Sequence, residues 1–385
     1  MAPFLSAIIL AAGFSSRMGQ LKALLPLGTD TMLGHCIKFF QNHGIREVVV
    51  VTGHQARETE KIARFFDACP VYNPDFSSGM FTSIQAGVRQ LDTGNSGFFL
   101  LPVDISLVRS GTVRLLTDSF TESPSLVTYP LFAGKRGHPP LISMELVSAI
   151  IDSPPPEGGL RSLLATIEKQ NPSQFRDVAV ADANILFDMD TPEDYAAGCK
   201  RLEHSRYPTM AECEVILFQL YPMPEKGLAH GRMVAAIAVA LCEAIRQNRP
   251  ASLDLDLCRV CGWLHDIAKG HPSHELEGGR WLRELGFGRA AEIIAAHQDL
   301  VWEPGTAITE KEIVHLADKF ARGNRIISLT ERFKEKMALY RDNPEAIRAI
   351  QGRYKQARRI CAAVEAETGK QIEDILSYSL AQCSP

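Results

Sequence analysis

A chain of 385 residues exceeds one ordinary domain and has room for two cores. With 45% hydrophobic and 22% charged residues it has the composition of a packed globular protein, which excludes fibrous, disordered and multi-span membrane chains. The formal charge of -4 carries no basic excess, so no nucleic-acid partner is expected and anions should be met at local sites. The elements then follow in chain order. From Phe4 to about Thr191, short β-branched or apolar runs alternate with longer amphipathic stretches, which predicts an α/β half. Strands are expected at Ser6 to Leu10, Glu47 to Val51, Gly97 to Leu101 and Ser125 to Tyr129. Helices are expected at Met32 to Asn42, Gln55 to Phe66, Met80 to Leu91, Gly111 to Ser119 and Pro192 to Leu202. The pattern does not order the strands within the sheet. Past Tyr207 and Pro208 the β-type runs largely disappear, and helical periods such as Gly227 to Gln247 and Leu255 to Ala268 predict an all-α half. The polar, proline-bearing stretch from His204 to Thr209 marks the boundary, giving domains 1–204 and 205–385.

Nine cysteines, odd in number and scattered, lack the spacing of a disulfide scaffold and read as reduced thiols. Cys258 and Cys261 form a lone C-x-x-C with no matching second pair, and read as core. The apolar start from Ala7 to Ala12 is too short to cross a bilayer and runs straight into a glycine loop, so the expected location is cytoplasmic, with no membrane partner.

The first chemical site is the string from Leu10 to Lys22, which places small residues, hydroxyls and two cations directly after a buried strand. Gly13 and Gly19 allow sharp turns that bring backbone N–H groups to an anion, and Arg17 and Lys22 can neutralise a triphosphate. The spacing fits neither G-x-x-x-x-G-K-[ST] nor G-x-G-x-x-G. Asp104, at the end of an expected strand, stands where open α/β sheets bind ligands and can hold Mg²⁺.

The string from Leu10 to Leu27 resembles the signature of the molybdenum cofactor nucleotidyltransferases, and more narrowly of the cytidylyltransferases among them. Asn73-Pro74 with Gly79 to Ile84, Leu101 to Asp104, Gly137 to Pro140 and Asp188 to Asp194 resemble that family's later blocks in the same order. The resemblance covers about the first 200 residues. It implies a Rossmann-like nucleotidyltransferase fold, a nucleoside triphosphate and a molybdopterin-type cofactor as substrates, and a molybdoenzyme acceptor. It implies nucleotide binding by Leu10, Ala11, Ala12, Gly13, Gly19, Lys22, Asn73, Gly79, Ser83 and Asp104, catalysis by Arg17, Lys22 and Asp104, and a cofactor contact at His138. Ala12 stands where guanylyl-transferring relatives usually carry glycine, which leans towards CTP. Asp190 is implied as a second Mg²⁺ contact, with a capping role for the helix at Pro192 as the other reading. The block after Asp104 departs from the family, continuing with Ile105-Ser106. Sugar-phosphate transfer, and cofactor delivery or nucleotide sensing without turnover, stay open.

The second site is the ordered set His230, His265-Asp266, His274, His297 and Asp318. Its order resembles the HD-domain phosphohydrolases. The resemblance implies a divalent ion on His230, His265, Asp266 and Asp318, and leaves open one ion or two, the second being bridged by Asp266 with His274 and His297. Imidazole with carboxylate suits Mn, Fe, Ni or Zn, which activate water for phosphoester or phosphoanhydride hydrolysis. Lys269 is expected one helical turn past His265, as a phosphate contact. His271 and His315 fit no place in the order and read as structural. The oligomeric state does not follow from the sequence.

Overall fold

A computed structural model describes residues 3–250 and 253–381. The chain divides into two compact units, Met1–Ser205 and Arg206–Pro385.

The first unit is built on β1 (Leu5–Ala11), the small hairpin β2 (Pro26–Leu27) and β3 (Asp30–Thr31), β4 (Glu47–Thr52), β5 (Cys69–Tyr72), β6 (Gly97–Pro102), β7 (Val127–Phe132), β8 (Lys135–Arg136), β9 (Leu141–Ser143) and β10 (Phe175–Ala179). The main sheet runs β10-β7-β9-β6-β1-β4-β5, with β8 paired to β7. The runs Ala7-Ile8-Ile9-Leu10 and Val48 to Val51 are buried on both faces, as interior parallel strands require. Parallel β4 and β6 flank β1, while β9 inserts antiparallel between β6 and β7. The chain therefore leaves β1 on one side for β4 and β5, then returns to its other side as β6. This reversal opens a crevice beyond the C-terminal ends of β1 and β6, where ligands bind in open α/β sheets.

The helices of this unit are α1 (Met32–Gln41), α2 (Ala56–Phe65), α3 (Met80–Val88), α4 (Ser110–Glu122), α5 (Val147–Asp152), α6 (Gly159–Gln170) and α7 (Pro192–Glu203). Ile8, Leu10, Val49 and Phe98 of the sheet meet Phe81, Ile84 and Val88 of α3 in one core.

The second unit is helical: α8 (Met210–Val215), α9 (Glu225–Asn248), α10 (Leu255–Leu264), α11 (His274–Glu284), α12 (Gly288–Ala295), α13 (Glu310–Phe320), α14 (Leu329–Leu339), α15 (Pro344–Thr368) and α16 (Ile372–Ala381). The central α9 has a mean hydropathy of 1.6 over its most apolar window, 67% of which is buried. Its Val234, Ile237, Leu241 and Ile245 form the core with Leu316, Phe320 and Ile360. A Cβ on Gly262 would stand 2.7 Å from Ala235 Cα, and one on Gly231 2.6 Å from the Trp263 carbonyl oxygen, so α9 and α10 touch backbone to backbone.

Two expectations need correction. The expected helix to Ala268 stops at Leu264, because the next carbonyls are taken three residues on: Ile267 N–H donates to Leu264 O and Lys269 N–H to Asp266 O. The all-α half also holds a two-stranded hairpin, β11 (Ala321–Arg322) with β12 (Arg325–Ile326), turning at Gly323 with φ +58°.

Candidate active sites

The loop leaving β1 folds on itself before a single 3-10 turn, Lys22–Leu24. Ser15, at φ +53°, accepts the N–H groups of Met18 and Gly19 on its carbonyl oxygen and that of Lys22 on its hydroxyl. Gly19, at φ +71°, completes the turn, and Gly13 leaves open space beside the backbone. The loop thus delivers Lys22, 8% exposed, to the end of β6. There the Lys22 ammonium donates 2.8 Å to Asp104 Oδ2 and also to Asp190 Oδ1. Arg17 Nη1 lies 2.8 Å from Asp190 Oδ2 with its side chain 72% exposed. Burial would lower the Lys22 pKa, but the bonds and charges of Asp104 and Asp190 outweigh it and hold the ammonium above the usual lysine value. The Lys22 hydrogen bond, with the nearby Arg17 charge, holds Asp190 below the usual carboxylate range.

Asp190 does not cap the next helix, which corrects one of the two readings of its role. Thr191 is the cap of α7, accepting from Asp194 N–H in a capping box that Asp194 reciprocates. Asp190 is left facing Lys22. Two carboxylates that converge on one ammonium make an oxygen donor set of the kind Mg²⁺ takes.

A cavity of about 340 Å³ lies over this group, lined by Leu10, Ala11, Ala12, Gly13, Arg17, Lys22, Ser83, Asp104 and Asp190. Gly19 and Asn73 do not line it. Asn73 is buried and spends its amide N–H groups on Thr82 and Ser83, while its oxygen accepts Asp75 N–H, so it shapes the start of α3 from behind. A larger cavity of about 1080 Å³ shares Leu10, Met80 and Pro102 with the first, and Gly79 and His138 line it with Tyr129, Arg136 and Arg161. Burial draws the His138 pKa below the usual histidine value against the opposing charges of Asp104 and Asp188, favouring a neutral ring. Between His54 and Phe76, each 5.2 Å away ring to ring, Phe14 stands 54% exposed in the wall of the smaller cavity. The sequence reading passed over it, although its place inside the glycine string was the available signal.

In the second unit the six expected ligands converge from helices α9, α11 and α13 and from the turns that follow α10 and α12. His230 Nε2 on α9 is 3.3 Å from Asp318 Oδ1 on α13 and 3.9 Å from Asp266 Oδ2. His265 Nε2 is 3.5 Å from Asp266 Oδ2 and 3.7 Å from Asp318 Oδ1. On the other side of the same carboxylate, Asp266 Oδ1 lies 3.3 Å from His274 Nε2 and 3.9 Å from His297 Nε2. Two overlapping groups result, His230 with His265 and Asp266, and Asp266 with His274 and His297, each with ligand atoms within 4.8 Å of one another. Ligands of one ion held at about 2.1 Å lie at comparable separations.

The ring orientations fit a metal. His265 donates from Nδ1 to Gly262 O at 2.8 Å and His297 from Nδ1 to Ile294 O at 2.7 Å, which turns each Nε2 to the centre. His265 Nε2 is fully enclosed without a hydrogen-bond partner. Burial and the His265 charge pull His297 down to about 3, which keeps its ring neutral. Burial opposes ionisation of Asp318, yet Lys319 and His230 hold its carboxyl well below the usual range. His315, expected to be structural, donates from Nδ1 to His297 O at 2.8 Å and so fixes that ligand's backbone. His271 packs edge-on to Trp281, and Cys258 and Cys261 are buried.

Lys269 reaches Asp266 across three residues of turn, not along a helix. Over the cluster is a cavity of about 140 Å³ whose lining includes Lys269, Lys319, Arg332, Lys336 and Arg353. The last four were not singled out from the sequence; Arg332 and Lys336, one helical turn apart, were the readable signal.

Residues 7–173 match the MobA-like NTP transferase domain and residues 227–323 the HD domain. The molybdenum cofactor cytidylyltransferase of Escherichia coli (strain K12) is 31% identical over 195 residues, half of this chain and 95% of that protein. The chain belongs to the MobA-like NTP transferase family. Nicotine blue oxidoreductase of Paenarthrobacter nicotinovorans is 29% identical over 203 residues, 50% of this chain and 94% of that protein. A solved nucleotidyl transferase from Methanothermobacter thermautotroptrophicus is 22% identical, with a TM-score of 0.46, covering 52% of this chain and 99% of that one. This MobA-like transferase is therefore a nucleotidyltransferase that also carries an HD domain.

Proposed function

We propose that the first unit transfers CMP from CTP to a molybdopterin-type cofactor, and that the second is a metal-dependent phosphohydrolase. The observation that carries the first reading is Lys22 held between Asp104 and Asp190 at the reversal of the sheet. The name of the Escherichia coli relative and the alanine at position 12 support cytidine and the cofactor.

In the transfer, a phosphate oxygen of the cofactor forms a bond to the α-phosphorus of CTP, the bond to the bridging oxygen breaks, and pyrophosphate leaves. The N–H groups of the loop around Gly13 orient the triphosphate. Lys22, protonated, neutralises charge that grows on the leaving oxygens, and Arg17 can swing to the outer phosphates from its exposed position. Asp104 and Asp190 are the residues that would hold Mg²⁺, which would supply further positive charge to the triphosphate. His138 and Arg136 in the larger cavity receive the acceptor, and Phe14 offers a flat face to a base or pterin.

In the second unit, His230, His265, Asp266 and Asp318 would hold one ion and Asp266, His274 and His297 another. Such ions acidify water and draw charge from phosphoryl oxygens. Lys269, Lys319 and Arg332 steady the carboxylates and present cations to a phosphate.

The test is pyrophosphate release by the full chain with Mg²⁺ and molybdopterin, offered CTP, GTP, ATP and UTP separately. Release confined to CTP is the expected result. Release with none, but with a sugar phosphate as acceptor, would replace the cofactor reading by the sugar-phosphate one.

A further inference from the structure

The cavity over the His–Asp cluster is small, and its wall is cationic. At about 140 Å³ it is well below the roughly 300–1,000 Å³ of pockets that enclose organic ligands. Five cations line it against two carboxylates, Asp266 and Asp318. Lys269 is paired with Asp266, Lys319 and Arg332 with Asp318, and Arg353 with Asp299. The Lys336 side chain has no hydrogen bond or ion pair among the described residues, and Lys336 lines the cavity. Apart from these cations and the metal-type residues, the wall holds Gln298, Phe333 and Ile350, one polar side chain against two apolar ones. Arg332, Lys336 and Arg353 stand on α14 and α15, beyond the segment 227–323 that matches the HD domain.

We infer that this site takes a diphosphate group end-on, either free pyrophosphate or the terminal diphosphate of a nucleotide, and rejects internal phosphodiesters. The inference rests on the phosphohydrolase reading above. A phosphodiester carries one charge and an organic group on each side, which the small cavity cannot enclose; a diphosphate end brings several charges in little volume. Lys336 and Arg353 are assigned to the distal phosphate. In the reaction a water oxygen bonds to phosphorus, the P–O–P bond breaks with its electron pair on the bridging oxygen, and the water protons pass to the two products. Pyrophosphate and water become two phosphates. Since nucleotidyl transfer releases pyrophosphate, its hydrolysis would draw that transfer forward.

The experiment loads the full chain with Mn²⁺ and offers pyrophosphate, CDP and bis(p-nitrophenyl) phosphate, with imidodiphosphate binding followed by calorimetry as a readout free of turnover. Diphosphate substrates should be cleaved at least about 100-fold more efficiently than the diester. Lys336→Gln should raise their KM and weaken imidodiphosphate binding about 10-fold, and Lys336→Arg should restore both. Preference for pyrophosphate over CDP identifies the free ion, and the reverse the nucleotide. Faster diester cleavage, or an unchanged KM and affinity in Lys336→Gln, overturns the inference. A chain that retains no Mn²⁺ and cleaves none of the three overturns the phosphohydrolase reading and this inference with it.

Discussion

At the scale of single residues, Lys22 does two things whose consequences separate with pH. In the proposed transfer it neutralises the leaving oxygens, so Lys22→Met should lower kcat for transfer by about 10²–10³, the range for losing one preorganised donor to developing charge. It also stabilises the ionised form of Asp190, whose folded-state pKa lies below its unfolded value. A depressed carboxylate contributes stability that is present above about pH 4 and is lost as pH falls through the folded pKa. Melting temperatures of wild type and Lys22→Met should therefore differ at pH 7 and converge in acid below pH 4; a gap that stays constant would contradict this origin. At Lys336 the downward shift disfavours the charged form instead. Desolvation, with Arg332 on its own helix and Lys319 on α13, draws it down to about 8, while Asp318 opposes and Arg353 on α15 adds to the fall. Its charge is thus lost from the cavity above pH 8, and phosphate affinity should weaken through that range. Lys336→Arg should flatten the profile, as measured by titration of inorganic phosphate from pH 7 to 9.5. Because the folded pKa is below the unfolded one, the same residue should let stability rise between about pH 8 and 10.5.

At the scale of elements, the α9–α10 crossing sets the proposed metal site. Gly262→Ala would place a methyl 2.7 Å from Ala235 Cα, so α10 must move, and with it the Gly262 carbonyl that orients His265. A loss of about 1–3 kcal/mol is expected from overpacking, together with a drop in bound Mn²⁺ per chain. If the melting temperature falls while metal content by elemental analysis holds, the crossing does not position the ligands. The helices were legible because their burial repeats along the chain, as in α9, and the central strands because their apolar runs are continuous, as in β1 and β4. Strand order was not, since β9 entering between β6 and β7 is a pairing of distant segments that no local period encodes. The end of α10 was misread for a related reason. Ile267 and Ala268 are buried, so the apolar pattern continues after the backbone has changed to turns. The string from Gly13 to Lys22 and the six metal-type residues were readable from chemistry and order. Asn73 behind α3, and Arg332, Lys336 and Arg353 over the cluster, act through spatial neighbours that sequence distance hides.

For the molecule as a whole, two cores on either side of residue 205 imply two cooperative units, each carrying one of the sites. A ligand that binds only folded protein stabilises it by RT ln(1 + [L]/Kd), about 2.7 kcal/mol at a hundredfold excess over Kd. For units of roughly 200 residues that is a rise of about 5–10 °C. Calorimetry should then show two transitions whose assignment follows from the ligands: Mn²⁺ should raise the one belonging to the helical unit, and CTP with Mg²⁺ the other. His265→Ala, which removes an enclosed ligand of the first ion group, should abolish the Mn²⁺ shift and leave the CTP shift intact. A single transition that both ligands raise would mean that the chain unfolds as one body, and the two sites would then be coupled through the stability of the whole.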